Sequence, residues 1–245
     1  MNIQLTAKIF IEQVSLLKTS GELKNVQRFF RDTDLKNRFL GVRMASIFTL
    51  AKHHIEMPIA EIEKLLHSDY YEARMGAVSI MDFQARNKKT TATRKKELFD
   101  LYIKRHDRIN NWDLVDRSAP YVVGGYLFDK PRNILYKLAK SKNVWERRTA
   151  IVSTYYFIRQ SDLSDTFKIA ELLISDEHDL IQKAVGSWVR EAGKYDKLAL
   201  VEFLDSFASL MPTTMLRCAI EKLNKNEKAI YLERNRRKKT KGPLA

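Results

Sequence analysis

The stretch EARMGAVSI (72–80) carries the pattern that decides the fold, because five other segments resemble it. In each segment a lysine or arginine stands one to three residues before a small alanine. The segments are GVRMASIF (41–48), EARMGAVSI (72–80), LVDRSAPYV (114–122), ERRTAIVS (146–153), IQKAVGSW (181–188) and LRCAIEKL (216–223). Their alanines, Ala45, Ala77, Ala119, Ala150, Ala184 and Ala219, are 31 to 42 residues apart. Each interval is long enough for two helices and a turn.

The residues around these alanines follow a helical period. In TTMLRCAIEKL (213–223), Leu216, Ala219, Ile220 and Leu223 fall at i, i+3, i+4 and i+7. Alternating strand patterns are nearly absent. We therefore predict an all-α fold, an α-solenoid of about six HEAT-like repeats over residues 1–232 that form a curved, concave cationic groove.

The bases that precede the alanines are Arg43, Arg74, Arg117, Arg148, Lys183 and Arg217. Lysine and arginine commonly fill solvated helix faces, and that is one interpretation of the set. Six bases at nearly matching phase on successive repeats would instead line one side of a curved surface, which suits a phosphate backbone. The net charge of +14 favours a polyanionic partner.

Composition limits the remaining classes of protein. Hydrophobic residues make up 44% of the 245 residues, which is enough for a core. Cys218 is the single cysteine, so an internal disulfide framework and a cysteine-based zinc site are excluded. No apolar run approaches the roughly 18 residues that span a bilayer, and the N-terminus lacks the form of a signal peptide. We expect a monomeric, cytoplasmic protein without a metal or other cofactor, and we read Gly124–Gly125 as a helix break.

The C-terminal stretch ERNRRKKTKGPLA (233–245) predicts a disordered basic tail that attracts polyanions non-specifically. It contains no aromatic residue, which disfavours a membrane surface as the partner.

The segment NNWDLVD (110–116) places a carboxylate near a large aromatic ring. Asn111 is a suitable N-cap, so we predict that a helix begins at Trp112. Trp112 and Asp116 are then i, i+4 neighbours on one face, and Pro120 should bend or end the helix. One interpretation is a half-buried tryptophan beside a solvated aspartate. The other is a functional negative charge, and Trp188, at similar phase in another repeat and flanked by Arg148 and Arg190, favours it.

Three motifs in order resemble the AlkD family of DNA alkylation repair glycosylases. They are Asn-x-Trp-Asp-x-Val-Asp (110–116), Trp-x-Arg-Arg-x-Ala-Ile (145–151) and Gln-Lys-Ala-x-Gly-x-x-x-Arg-Glu (182–191). The resemblance implies an enzyme that excises cationic bases such as N3-methyladenine and N7-methylguanine from duplex DNA without flipping the nucleotide.

The same resemblance implies roles for individual residues. Asp116 corresponds to the catalytic carboxylate, and Trp112 and Trp188 to the aromatic walls beside it. Arg148 corresponds to the arginine near the lesion, with the adjacent Arg147 as the alternative. We expect the remaining phosphate contacts from Arg43, Arg74, Lys183 and Arg190.

The chemistry suits a site with one carboxylate. An alkylpurine cation is already a good leaving group, so the second carboxyl group of ordinary glycosidases is not needed. We predict that Asp116 is ionised at neutral pH. Two alternatives stay open: a non-catalytic solenoid that binds nucleic acid, and a HEAT-class scaffold for acidic protein partners.

Overall fold

The computed structural model describes residues 5–27 and 37–240. Within these ranges the regular elements are helices, and the one extended pairing is an isolated β-bridge between Arg38 and Tyr70. None of the described helices has both the length and the apolar character that a membrane span requires. The all-α prediction is confirmed. The contacts within the chain divide it into two compact units, Met1–Tyr126 and Leu127–Ala245. The single repeat domain over residues 1–232 stays a prediction.

The first unit is built around one buried helix. Its helices are α1 (Ala7–Leu16), α2 (Ser20–Gln27), α3 (Met44–His53), α4 (Ile59–His67), α5 (Tyr71–Arg86), α6 (Ala92–Lys104) and α7 (Trp112–Ser118). Helix α5 packs against α3, α4 and α7, and most of its side chains are buried. At Gly76 the ring of Phe10 from α1 lies so close that an added Cβ would stand 2.3 Å from two ring carbons.

The second unit stacks its helices in succession. They are α9 (Asn133–Ala139), α10 (Val144–Ile158), α11 (Ser164–Leu172), α12 (Asp179–Ala192), α13 (Lys197–Phe207), α14 (Thr213–Ala219) and α15 (Lys225–Thr240). Helix α10 packs on α12, and α12 packs on α14. The approach of α12 to α14 is close, because a Cβ at Gly186 would stand 2.3 Å from the carbonyl oxygen of Met215. Such nearest-neighbour stacking within a unit is typical of helical repeats.

The repeat alanines mark the helix contacts, with one exception. Ala77, Ala119, Ala150, Ala184 and Ala219 are buried. Ala45 is exposed, because α3 begins at Met44 and buries Ile47 and Ala51 instead. The sequence alignment therefore places the first repeat out of phase with the others.

The segment after α7 departs from α-helical geometry but remains helical. Helix α7 ends at Ser118, two residues before Pro120, and a π-helical turn follows over Ala119–Gly124. The prediction that Pro120 bends or ends the helix is confirmed, since α7 stops at Ser118. The wider π turn that follows accommodates a residue without an amide N–H. The expected break at Gly124–Gly125 is wrong: Gly125 keeps helical φ and ψ of −61° and −37° and opens α8 (Gly125–Leu127).

The C-terminal basic stretch also differs from the prediction. Residues 233–240 belong to α15, and residues 241–245 of this stretch lie outside the described part of the chain. The side chain of Asn235 is 3% exposed, and its amide donates to the carbonyl oxygens of Ala208 and Met211, both at 2.8 Å. Tyr231 is buried one turn earlier. These two anchors hold a segment that composition alone presents as a disordered tail.

Candidate active site

A cavity of about 500 Å³ lies within the first unit beside the segment that the sequence singles out. Trp112 and Asp116 both line it, as their i, i+4 spacing on α7 predicts. The apolar part of its wall comes from the loop before α3, from α3 and from α5, namely Val42, Met44, Phe48 and Met75. A carboxylate and an indole therefore share one largely apolar cavity.

The first turn of α7 is capped by the side chain of Asp113, and the side chain of Asn111 donates a hydrogen bond instead of accepting one. Asn111 occupies the N-cap position in extended conformation, and the helix begins at Trp112 as predicted. The side-chain amide of Asn111 donates to Asp113 Oδ1 at 2.9 Å, and the same oxygen accepts the amide N–H of Leu114 at 2.8 Å. Asp113 thus satisfies a backbone donor of the first turn.

Asp113 is a second carboxylate on the cavity wall, and the sequence pattern alone predicts no role for it. Its Oδ2 accepts a hydrogen bond from the hydroxyl of Tyr71, which begins α5 and also lines the cavity. Burial raises the pKa of Asp113 to about 6 against the hydrogen bonds from Tyr71 and Leu114, and the charge of Asp116 adds to the rise. The signal that could have found it is its i, i+3 spacing to Asp116 within the Trp-Asp-x-Val-Asp motif.

Two guanidinium groups complete the polar part of the wall, and a buried carboxylate holds both. Asp82 on α5 is fully buried and pairs with Arg86 at 2.8 Å and with Arg117 at 3.2 Å. Burial raises the pKa of Asp82, and the two arginines oppose that rise. Arg117 lies between the rings of Phe48 and Phe83, and Arg86 lies 3.7 Å over the ring of Tyr121.

The ion pairs of Asp82 with Arg86 and Arg117 hold two positive charges at the cavity wall. Arg86, Arg117, Asp113 and Asp116 line the cavity together with Glu22 from α2. Because three of the five are carboxylates in a protein with a net charge of +14, the cavity is locally much less positive than the chain as a whole.

Trp188 and Arg148 lie in the second unit, on α12 and α10. The indole N–H of Trp188 donates to the carbonyl oxygen of Val152 at 3.1 Å, and the edge of its ring meets Tyr155 at 6.2 Å between centroids. Trp188 is half-buried, and this bond fixes its ring against α10.

The two adjacent arginines of α10 are both engaged within the second unit. Arg147 binds both carboxylate oxygens of Asp176, at 2.6 and 3.3 Å, and also the carbonyl oxygens of Ser141 and Lys142. Arg148 is 6% exposed, and its guanidinium donates to the carbonyl oxygen of Leu180 at 2.6 Å. Both guanidinium groups bind elements of their own unit.

The other bases of the predicted DNA interface divide by exposure. Arg74 is 1% exposed and donates to the carbonyl oxygen of Ser68 and to the side chain of Asn37. Arg43 lies on the surface with 73% of its side chain exposed and pairs with Glu22 at 3.1 Å. Lys183 is exposed beside Asp179, and Arg190 pairs with Glu221. Matching phase in the sequence therefore does not give matching exposure.

Among the described residues, no group of three or more histidine, cysteine, aspartate and glutamate side chains has an arrangement that could hold a metal ion.

Comparison with known proteins agrees with the motifs of the sequence. A search of curated proteins found no significant match. A solved structure described as a predicted DNA alkylation repair enzyme from Enterococcus faecalis has the same fold. It matches with a TM-score of 0.69 and 17% sequence identity, over 85% of this chain and 97% of the other. The DNA alkylation repair enzyme family matches residues 11–223. The chain therefore belongs to the family of DNA alkylation repair enzymes.

Proposed function

We propose that the protein is a metal-independent, monofunctional DNA glycosylase that hydrolyses the N-glycosidic bond of cationic alkylpurines, such as N3-methyladenine and N7-methylguanine, in duplex DNA. Membership of the family supports a role in DNA repair. The observation that carries the finer proposal is the cavity in which Asp116 and Trp112 stand together on α7.

The reaction needs little from the protein. In an alkylpurine cation, the bond between the sugar C1′ and the base nitrogen breaks with both electrons going to the base, which leaves as a neutral molecule. The positive charge passes to the sugar as an oxocarbenium ion. Water then adds to C1′ and loses a proton. Asp116 would stabilise the cationic sugar and orient that water, so one carboxylate serves both steps.

The tryptophans would act on the same charge. An indole face attracts a cation by roughly 0.5–2 kcal/mol, depending on desolvation. Trp112 shares the cavity with Asp116, and we assign Trp188 the same role from the resemblance of its motif. Because the positive charge moves from the base to the sugar as the bond breaks, an indole face beside the sugar would favour the transition state over the bound substrate and accelerate cleavage.

We propose that the phosphate contacts come first from the exposed bases Arg43 and Lys183, and from Arg190. For Arg74 and Arg148, burial favours a role in holding loops and helices in place. Arg147, tied to Asp176, would likewise act by positioning α10.

The damaged nucleotide would stay stacked in the duplex, with selection by the lability of the cationic lesion. A 2-aminopurine placed next to the lesion tests this point, because extrusion of its neighbour raises its fluorescence. We expect no increase on binding. A clear increase before base release would show that the enzyme flips its target.

The central experiment measures base release in single-turnover conditions from DNA that carries N7-methylguanine. We expect Asp116→Asn to reduce the rate by roughly 10²–10³-fold, because the amide has no charge with which to stabilise the sugar. Asp100→Asn is the matched control, since Asp100 is an exposed aspartate on α6 of the same unit. Its rate should equal that of the wild type.

Two outcomes would contradict the proposal. If Asp116→Asn releases base at the wild-type rate, the carboxylate has been assigned wrongly. If the wild type binds duplex DNA and releases no base, the protein is a non-catalytic binder of nucleic acid.

A further inference from the structure

Near its end, α15 presents exposed basic residues that lie beyond the part of the chain that matches the family. The family match ends at residue 223, and α15 spans Lys225–Thr240. After Glu233 the helix carries only basic charges, namely Arg234, Arg236, Arg237, Lys238 and Lys239. These residues belong to the stretch that composition alone presents as a disordered tail.

Asn235 determines how these basic residues are oriented. Its buried amide donates to the carbonyl oxygens of Ala208 and Met211, which follow the last residue of α13. A buried polar group that loses its partners destabilises the folded state, so these two bonds favour one docked position of α15. Asn235 is thus a polar anchor at the centre of the basic run.

A second set of contacts ties the same turn to α13. The hydroxyl of Tyr231 and the guanidinium of Arg234 both donate to Asp205 Oδ1. Tyr231 is buried and lies one turn before Asn235 on the same face. Helix α15 is therefore held in place through the face that carries Tyr231 and Asn235.

The residues that follow Asn235 point away from that face. Successive residues of an α-helix are rotated by about 100°, so Arg236 and Arg237 turn toward solvent while Asn235 is buried. Both are exposed, and the side chain of Arg237 is 76% exposed beside Glu233. Docking through Asn235 thus presents two guanidinium groups outward.

We propose that the end of α15 is a fixed cationic arm that binds the phosphate backbone of duplex DNA outside the catalytic cavity. This inference rests on duplex DNA being the partner under the proposed function. Guanidinium groups match phosphate oxygens in charge and geometry. The arm carries no aromatic side chain for a lipid interface, and a repair enzyme must hold DNA of any sequence, which phosphate contacts achieve.

The test measures binding to a short undamaged duplex over a range of salt concentrations. We expect the double variant Arg236→Gln/Arg237→Gln to bind roughly 10- to 100-fold more weakly at about 0.1 M salt. The slope of log K against log salt should become shallower by about 2, because two phosphate contacts are lost. The matched control is Lys225→Gln/Lys228→Gln, which removes the same charge from the first turns of α15 and should leave the affinity within about twofold.

A third variant tests whether the arm must be held in one orientation or whether its positive charge alone is enough for binding. Asn235→Ala keeps the net charge and removes the anchor, so it should lose affinity while circular dichroism shows the rest of the helical fold intact. If Asn235→Ala binds as the wild type does, the orientation of the arm does not matter and the proposal is overturned. The proposal also fails if the arginine variant keeps wild-type affinity and slope, or if the control loses as much.

Two further measurements distinguish this proposal from the others. Base release at saturating protein should not change in the arginine variant, since its residues lie outside the cavity. If the wild type releases no base, the glycosylase proposal fails while the binding result still stands, because the duplex is undamaged. If the arginine variant loses affinity for poly-glutamate but not for DNA, the partner is an acidic polypeptide and the arm proposal is overturned.

Discussion

The hydroxyl of Tyr71 donates a hydrogen bond to the carboxylate of Asp113, and this bond joins the first residue of α5 to the first turn of α7. Both residues line the cavity that contains Asp116. The bond thus connects the buried central helix of the first unit to the helix that carries the proposed catalytic carboxylate.

Removing that hydrogen bond should change the ionisation of Asp113. The bond favours the carboxylate form and lowers its pKa, which burial nonetheless raises to about 6. In Tyr71→Phe we expect the pKa of Asp113 to rise further, which an NMR titration of the carboxyl carbon would measure. Tyr126→Phe, on a tyrosine that stacks on Phe99 elsewhere in the unit, is the control. An unchanged midpoint in Tyr71→Phe would mean that the bond is absent in solution.

Asp113 should also make stability depend on pH. Its carboxyl has a pKa of about 6 in the folded protein against a reference value of 3.8, so between these values the folded state holds more protons than the unfolded state. The stabilisation is complete below pH 3.8 and is lost as pH rises through 6, by up to about 3 kcal/mol. Asp113→Asn cannot ionise. As the pH rises from 4 to 6, the melting temperature of the wild type should therefore fall relative to that of this variant.

The comparison needs a control at an exposed carboxylate. Asp100 lies exposed on α6, so wild type and Asp100→Asn should give parallel curves of melting temperature against pH. A constant difference between wild type and Asp113→Asn over the same range would contradict the prediction.

Mutation of Arg148 should lower the stability of the protein, whereas mutation of Arg43 should change its binding to DNA. Arg148 is buried and donates to the carbonyl oxygen of Leu180, so Arg148→Gln should destabilise the protein by roughly 1–3 kcal/mol in urea unfolding. Arg43 is exposed, so Arg43→Gln should leave stability unchanged and reduce the salt slope of DNA binding by about 1. Equal stability of the two variants would show that burial of Arg148 is not important for the fold.

Gly186 should be required for the contact between α12 and α14. A Cβ at this position would stand 2.3 Å from the carbonyl oxygen of Met215, so Gly186→Ala must separate the helices and should cost roughly 1–3 kcal/mol of stability. Gly21 has open space within 4 Å and lies in α2, so Gly21→Ala should be neutral or stabilising by up to about 1 kcal/mol. Thermal unfolding of both variants checks the pair. A neutral Gly186→Ala would mean that the helices separate without cost.

Much of the fold follows from local pattern. The helical period around Leu216 and the recurring alanines predict stacked helices, because periodicity and small residues report which face of a helix is buried. The start of α7 at Trp112 and the shared face of Trp112 and Asp116 follow from capping and from helix geometry. These are short-range properties, and the chain encodes them within one or two turns.

Which charged groups are exposed depended on the tertiary structure. Arg43 and Arg148 each stand two residues before the alanine of their repeat, yet Arg43 is on the surface and Arg148 is 6% exposed. Ala45 breaks the pattern in the same way, because the start of α3 sets its phase. Local sequence gives the spacing of side chains on a helix, but the neighbouring helices decide which of them reach solvent.

The sequence by itself thus determined the all-α fold, the family motifs and the pairing of an indole with a carboxylate on one helix. Only the tertiary structure showed that Asp113 bonds to Tyr71, 42 residues earlier in the chain, and that Asn235 binds carbonyl oxygens 24 and 27 residues before it. The physical reason is the separation along the chain over which each effect acts. Helix periodicity acts over a few residues, whereas burial of a carboxylate or an amide depends on groups that only packing brings together.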